Sequence, residues 1–209
     1  MDRDEAAAIA RLLHARDRDR SLRAHSLKRR ILGSYCGHAR PEQLAFRHQS
    51  SGKPYLAEPC APEAPLQFNI SHSEDAFAMA VAMCPVGVDI QWRDSSVDFA
   101  ALASIVFHPA EIELWHREGA TTKGFYRLWT AKEAVLKGEG AGFLREPRDV
   151  DVSVWVGDRG HAKIAGDAWT VISRQVGEYS LCVAVPSGAS PNLLWYTLDE
   201  PGNAPGALQ

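Results

Sequence analysis

The stretch that most constrains the fold is FYRLWTAKEAVLKGEG, which begins at residue 125. Residues three or four apart share one face of a helix, so a helix over residues 123–137 sorts its side chains into two stripes. A Glu four residues before a Lys is also the preferred order for an ordinary ion pair of about 0.2–0.5 kcal/mol, so this helix alone leaves the purpose of its polar stripe open. The apolar stripe, expected in the core, is Phe125, Leu128, Val135 and Leu136, and the other is Tyr126, Trp129, Thr130, Glu133 and Lys137.

Runs of helices and runs of strands follow one another along the rest of the chain. Arg and Asp alternate over residues 16–20, which indicates either a solvated helical face or a break between two helices. A proline-rich loop region is expected at 41–66, and three glycines after residue 137 are expected to end the long helix. The predicted elements are helices at 4–35, 107–118 and 123–137, strands at 77–83 and 86–91, and five strands between 150 and 197.

Two of the predicted strands share one side-chain pattern. FAMAVAM at 77–83 and YSLCVAV at 179–185 both follow the order aromatic, small, aliphatic, small, Val, Ala, aliphatic, at an offset of 102 residues. The repetition hints at two similar halves related by a pseudo-twofold axis. We accordingly predict an N-terminal half at 1–100, a C-terminal half at 101–198 and a flexible tail at 199–209.

The composition indicates an ordinary globular protein with an uneven charge distribution. The chain has 209 residues, 45% of them hydrophobic, and a net charge of −3. Residues 1–53 hold 12 Lys and Arg against 6 Asp and Glu, a net +6, whereas the remainder holds 11 against 20, a net −9. The basic segment favours an anionic partner. Nucleic acid is a poor candidate because the acidic remainder would repel its backbone.

The cysteines and the ends of the chain point to the cytoplasm. No Cys-x-x-Cys pair or zinc spacing occurs, so the four cysteines (Cys36, Cys60, Cys84, Cys182) are interpreted as reduced thiols. The first 20 residues are too charged for a signal peptide, and the longest apolar run, at 76–84, is too short to span a bilayer.

Two short segments carry groups suited to phosphate chemistry. Asp89 and Gln91 lie two apart on a predicted strand, so they leave the same face, and Mg²⁺ bound with substrate phosphates uses one or two such carboxylates. The alternative is a strand end that meets solvent. Ser71 and His72 lie in a predicted loop and could donate to a phosphate. The other interpretations are a surface turn and a role for His72 as a base for Ser71. No nucleotide-binding or hydrolase motif is present in the sequence.

The motifs NISHS, VGVDI and WTAKEAVLKGEGAG occur in this order, preceded by RDRDRSLRAHSLKRRILG and SSGKPY. Together they resemble the 4′-phosphopantetheinyl transferases of the surfactin-type (Sfp-like) group over roughly residues 4–145. The resemblance implies a fold of two similar α+β halves. It implies transfer of 4′-phosphopantetheine from coenzyme A to a serine of an acyl or peptidyl carrier protein, dependent on Mg²⁺, with release of 3′,5′-ADP.

The resemblance also implies a role for each matching residue. Asp89, Gln91 and Glu133 would form the metal site, and Glu133 would also be the base for the carrier serine. Lys137 would stabilise the leaving phosphate. The remaining coenzyme A contacts would come from Arg20, Lys53, Ser71 and His72.

The chain departs from the family pattern at two places. The family strand usually reads GVDIE, and here Gln91 replaces the final acid. We expect weaker metal binding, with a preference for Mn²⁺ conceivable. Relatives also carry basic residues early in the first helix to grip the 3′-phosphate of coenzyme A, where this chain has Glu5 and Ala8. Either other groups hold that phosphate (Arg11, His14 or Arg16), or the contact is weak, or the true start lies further upstream.

Three functions compete at this stage. An active transferase is favoured, and we expect it to act as a cytoplasmic monomer on carriers of a secondary-metabolite or siderophore system. The second is a coenzyme A- or carrier-binding module weakened by Gln91. The third is a Mg²⁺-dependent phosphodiesterase that acts on coenzyme A or on a holo-carrier and needs a positioned water.

Overall fold

The computed structural model describes residues 3–37, 40–57, 65–140, 145–189, 193–197 and 206–208. They form a mixed α/β fold with antiparallel sheets, as predicted. The helices are α1 Arg3–Ala10, α2 Ala15–Tyr35, α3 Phe99–Val106, α4 Pro109–Arg117 and α5 Thr122–Glu139, with 3-10 turns at Pro41–Gln43 and Pro147–Asp149. The strands are β1 Phe46–His48, β2 Pro54–Leu56, β3 Gln67–Ser73, β4 Ala76–Ala82, β5 Gly87–Trp92, β6 Asp151–Val156, β7 Arg159–Ile164, β8 Asp167–Val176, β9 Tyr179–Pro186, β10 Trp195–Thr197 and β11 Gly206–Leu208.

The largest sheet has five antiparallel strands in the order β5-β9-β8-β7-β6. Its first strand comes from the first hundred residues and the other four from the last sixty, so both predicted halves contribute to one sheet. The β3–β4 hairpin is a separate two-stranded sheet beside β5. The two strands that share a sequence pattern, β4 and β9, are each the second strand of a hairpin. The pseudo-twofold axis and the division at residue 100 stay predictions.

Helix α5 packs against the five-stranded sheet and is buried on most of its circumference. Its apolar stripe lies in the core as predicted, and Thr130 and Lys132 are buried as well. The helix passes unusually close to β5: a Cβ on Gly87 would lie 1.8 Å from the Ala134 carbonyl oxygen. Gly138 faces the same contact from the helix, which explains a glycine inside the helical span. Gly140, at φ 86°, ends the helix, and position 142 lies outside the described residues.

The N-terminal helical segment is two helices, and the break lies at residues 11–14, before the Arg-Asp alternation. Arg18 donates to the carbonyl oxygens of Leu12 and Leu13 at 2.7 and 3.0 Å, which satisfies backbone groups at the break. Helix α2 then packs Leu32 against Phe68 of β3 in a small core of its own. This core places the basic helix beside the β3–β4 hairpin.

Several further features differ from the sequence-based expectations, among them strands β1 and β2 inside the loop region expected at 41–66. Helix α3 was not predicted, although Asp98 caps it by accepting from the Ala101 amide. Strand β4 is half-buried along its whole length rather than buried. Gly206–Leu208, expected in the flexible tail, pairs with β10, while 199–205 and 209 lie outside the described residues.

The prediction of a reduced thiol is wrong for Cys36, which is disulfide-bonded. Cys84 and Cys182 are free, and Cys60 lies outside the described residues.

Candidate active site

The side chains that the sequence singled out meet where β3, β5 and α5 converge. Asp89 leaves the face of β5 that α5 covers, because its neighbours Val88 and Ile90 point into the opposite core. Its side chain is about 1% exposed, and Lys137 Nζ on α5 lies 2.6 Å from Asp89 Oδ1. The structure therefore places Asp89 beside the polar stripe of helix α5.

Ser71 links the hairpin to this pair. Its hydroxyl donates to Asp89 Oδ1 at 2.8 Å and accepts from Lys137 Nζ at 2.9 Å. The Ile90 amide also donates to this hydroxyl at 3.3 Å. The residue lies on strand β3 rather than in a loop, and it is buried. Ser71 thus joins both sheets and the helix through a single oxygen.

Gln91 and Glu133 flank the buried acid. Gln91 Nε2 donates to Asp89 Oδ2 at 3.2 Å. Glu133 is half-buried, and among the described residues none donates a hydrogen bond to its carboxylate. Burial raises the pKa of Glu133, and the charge of Asp89 raises it further, while Lys137 opposes the rise.

The donor set at this junction fits a divalent cation. Asp89 and Glu133 are close enough to repel one another, and a cation bound by both would relieve that repulsion. Mg²⁺ accepts such a pair when phosphate oxygens and water complete its shell, and a glutamine carbonyl can add a neutral ligand. Within the described ranges no cluster of three or more His, Cys, Asp or Glu has a metal-binding arrangement. Among the described residues, the donor set at this junction is two acids and one amide.

Lys53 lies at the far end of the junction and is bonded to backbone. Its Nζ donates to the carbonyl oxygens of Gly138 at 2.9 Å and Val86 at 3.2 Å. Burial lowers the pKa of Lys53, and the nearby charge of Glu139 opposes that shift. In this arrangement Lys53 ties the end of α5 to the start of β5, next to Lys137, so its predicted contact with coenzyme A would need these bonds to be exchanged.

The other two predicted phosphate ligands lie on the open side of the hairpin. His72 is exposed, on the face of β3 opposite to Ser71. Arg20 Nε donates to Asp75 Oδ1 at 2.9 Å, and a second nitrogen lies 3.4 Å from Glu74 Oε2. The hydrogen bond that Arg20 donates to Asp75 raises the pKa of Arg20 and lowers the pKa of Asp75. The acidic turn therefore holds the arginine, a partner that the sequence analysis did not foresee.

Glu5, near the start of helix α1, lies in a buried cluster of charged side chains. Its carboxylate accepts from Lys28 Nζ at 2.7 Å and from an Arg29 nitrogen at 2.6 Å, with His25 Nδ1 at 2.9 Å. Desolvation by burial acts to raise the pKa of Glu5, but the hydrogen bonds from Lys28, Arg29 and His25 outweigh it and hold the pKa far below its ordinary value. A carboxylate held ionised here cannot grip a phosphate, so Glu5 anchors α1 instead. Of the alternatives, Arg11 and His14 are exposed, and Arg16 pairs with Asp75 at 2.8 Å.

Two polar residues next to the site were missed. Asn69 and Ser73 flank Ser71 at alternate positions of β3 and bond to amides of β5. The period-2 spacing of Asn69, Ser71 and Ser73 is the signal of one strand face, and it was available in the sequence. It was hidden because the segment was interpreted as a loop.

The fold and the site define an α+β protein whose sheet–helix junction suits a divalent cation and phosphate groups. Comparison with known families agrees with this class. Residues 85–184 match the 4′-phosphopantetheinyl transferase superfamily, and residues 1–84 match the 4′-phosphopantetheinyl transferase N-terminal domain. The two matches are adjacent and together reach residue 184. The chain belongs to the 4′-phosphopantetheinyl transferase superfamily.

Two relatives carry the name "Putative 4′-phosphopantetheinyl transferase". The one from Haemophilus influenzae is 35% identical over 60 residues, which is 29% of this chain and 25% of the relative. The one from Synechocystis sp. is 46% identical over 59 residues, which is 27% of this chain and 24% of the relative. The matches thus span about a quarter of each relative's length. No helix among the described residues is long and apolar enough to cross a membrane.

Proposed function

We propose that this protein transfers 4′-phosphopantetheine from coenzyme A to a serine of an acyl or peptidyl carrier protein and releases 3′,5′-ADP. The observation that carries the proposal is the convergence of Asp89, Glu133 and Lys137 at one junction, with Ser71 bridging to the hairpin. Membership of the superfamily supports the same reaction class.

The proposed roles follow from the charges at the junction. Asp89, Glu133 and the Gln91 carbonyl oxygen would hold Mg²⁺, or Mn²⁺, together with the coenzyme A diphosphate. A bound divalent cation supplies charge neutralisation to the diphosphate. Lys137 Nζ lies 2.6 Å from Asp89 Oδ1 on a side chain that is 30% exposed, and it would turn toward a phosphate oxygen of the bound diphosphate. Ser71, His72, Lys53 and Arg20 would contact coenzyme A phosphates.

The reaction is a displacement at the phosphorus that carries pantetheine. The carrier serine oxygen forms a new bond to that phosphorus, and the bond to the leaving 3′,5′-ADP breaks. Glu133 takes the serine proton, directly or through water. Lys137 stabilises the charge that develops on the leaving phosphate.

The partner and setting are part of the proposal. Carrier proteins are acidic helical domains, which agrees with the basic character of residues 1–53. We propose a monomeric enzyme of the surfactin-type group, acting in the cytoplasm on a carrier of a secondary-metabolite system.

A weakened binding module is the second candidate, and Gln91 is the observation that favours it. Replacing the usual acid removes one negative charge, and here the amide donates to Asp89 rather than repelling it. Intact-mass spectrometry of apo-carrier domains incubated with the protein, coenzyme A and Mg²⁺ separates the two. A gain of one phosphopantetheine mass, abolished by EDTA, supports transfer. No gain with peptide, polyketide and fatty-acid carriers, although coenzyme A binds, supports the module.

Glu133→Gln tests the proposed base. We expect turnover to be lost while the unfolding transition is retained, because the amide keeps the shape of the side chain but cannot accept the serine proton. Glu113→Gln, on the exposed face of α4, is the matched control and should retain full activity. Unchanged turnover in Glu133→Gln would exclude it as base and ligand.

Gln91→Glu tests the metal assignment. Restoring the acid should lower the Mg²⁺ concentration that gives half the maximal rate, and a tenfold decrease corresponds to about 1.4 kcal/mol of binding free energy. A titration of initial rate against Mg²⁺ in both proteins measures the effect. If the midpoint stays the same, Gln91 does not contact the metal.

A further inference from the structure

Strand β3 is joined to strand β5 by three side chains. The Val88 amide donates to Asn69 Oδ1 at 2.9 Å, and the Trp92 amide donates to Ser73 Oγ at 2.9 Å. Between them the Ile90 amide donates to Ser71 Oγ at 3.3 Å. We call these three bonds the seam, with Ser71 as the middle rung and Asn69 and Ser73 as the outer rungs.

The seam exists because β5 is an edge strand. It pairs with β9 on one side, so the amides of alternate residues point outward and need other partners. The hairpin β3–β4 is a separate sheet, and within the described residues it forms no backbone ladder with β5. Side-chain oxygens on one face of β3 supply the missing acceptors.

The face that meets β5 is built for close approach. Across the hairpin, Asn69, Ser71 and Ser73 are paired with Ala80, Ala78 and Ala76. These alanines pack against the core that contains Val88 and Ile90. Because the paired residues are small alanines, they do not obstruct the three polar side chains, and each side-chain oxygen reaches a β5 amide directly.

The proposed active site straddles this seam. Ser71 and His72 belong to the hairpin, whereas Asp89 and Gln91 belong to the five-stranded sheet. Successive rungs are two residues apart, roughly 6.6 Å along a strand, so the outer rungs hold the sheets together at points on both sides of Ser71. A rotation of one sheet relative to the other about Ser71 would stretch the outer rungs more than the middle rung.

We propose that Asn69 and Ser73 are positioning residues that fix the hairpin groups relative to the acids of β5. This inference rests on the proposed transferase function for its kinetic part. It also has a structural part that does not depend on activity: the outer rungs keep the middle rung in register. If Asn69 and Ser73 merely accepted hydrogen bonds from two amides, replacing them would change amide exchange only at Val88 and Trp92.

The test uses Asn69→Ala, Ser73→Ala and the conservative Ser73→Thr in the full chain. Amide hydrogen exchange measured by NMR at Val88, Ile90 and Trp92 reports each rung. We expect exchange at Ile90 to rise at least tenfold in both alanine variants although Ser71 is intact. We expect Ser73→Thr, which keeps an acceptor oxygen, to restore the wild-type rate. Unchanged exchange at Ile90 would overturn the proposal.

Kinetics with coenzyme A and an apo-carrier form the second arm. We expect kcat to fall at least tenfold in Ser73→Ala, with a smaller change in KM for the carrier, and to recover in Ser73→Thr. A lost rung at Trp92 with unchanged kcat would overturn the positioning role. If the wild-type protein is inactive with every carrier, the proposed function fails, and exchange at Ile90 decides the seam by itself.

Discussion

Lys132→Met should remove a large part of the free energy of unfolding of this protein. Lys132 and Glu111 form an ion pair of 2.7 Å in which both side chains are fully buried. Lys132 also donates to the carbonyl oxygens of Pro147 and Val150. Burial lowers the pKa of Lys132, and the charge of Glu111 opposes that shift. The pair joins α5 to α4 and to the segment that leads into β6.

The magnitude follows from what the substitution leaves behind. Glu111 would remain buried and charged, with its other bonds to the amides of Val152 and His108 still in place. Removal of one partner of a buried pair costs about 3–5 kcal/mol, against a total free energy of unfolding of roughly 5–15 kcal/mol for a typical domain. Methionine fills a similar volume, so the loss reflects charge rather than a cavity.

Urea unfolding followed by circular dichroism measures the effect. Lys123→Met, on an exposed position of the same helix, should change the free energy of unfolding by less than about 0.5 kcal/mol. The double variant Lys132→Met with Glu111→Gln should be more stable than Lys132→Met alone, because no uncompensated charge is buried. A loss below about 1 kcal/mol in the single variant, or a double variant that is less stable still, would refute the reasoning.

Two further predictions concern other buried contacts. Glu5→Gln should lower the free energy of unfolding at pH 7 by about 3 kcal/mol, because Lys28 is left buried without its partner. Hydrogen bonds from Lys28, Arg29 and His25 hold the pKa of Glu5 far below its ordinary value of 4.5, so this stability is present above pH 4.5 and is lost as pH falls from there toward the folded-state pKa. Wild type and variant should therefore converge in acid unfolding titrations, and a constant difference would contradict the assignment. Gly87→Ala should destabilise by 3 kcal/mol or more, roughly the upper end of overpacking costs, because its Cβ would lie 1.8 Å from the Ala134 carbonyl oxygen. Gly188→Ala, with no atom within 4 Å, is the control and should be nearly neutral in thermal unfolding.

Local patterns predicted much of the secondary structure. The strand at β5, the helix α5 and the C-terminal strands follow from hydrophobic periodicity and from glycine and proline positions. Of the two interpretations of the Arg-Asp alternation, the solvated helical face is the one observed, because residues 16–20 lie inside α2 and the break lies at 11–14, where Arg18 donates to the carbonyl oxygens of Leu12 and Leu13. The polar face of β3 was interpreted as a loop because serine and asparagine are turn residues in isolation.

The candidate site was predicted in its members and only partly in its contacts. Asp89 and Lys137 are 48 residues apart, and nothing in either segment states that they lie 2.6 Å apart. The sequence also assigned Lys53 and Arg20 to phosphate binding. In the structure Lys53 bonds to backbone carbonyls and Arg20 to an acidic turn, so these contacts would compete with a ligand.

The sequence by itself determined the periodic elements and the types of chemical group at the site, because side-chain spacing on a helix or strand is a local property. Only the tertiary structure decided which of these groups contact one another. The close approach of Gly87 to α5 brings Lys137 to Asp89, and the edge position of β5 leaves its amides to Asn69 and Ser73. Such pairings depend on distances between segments far apart in the chain, and those distances are fixed only when the sheets and the helix pack.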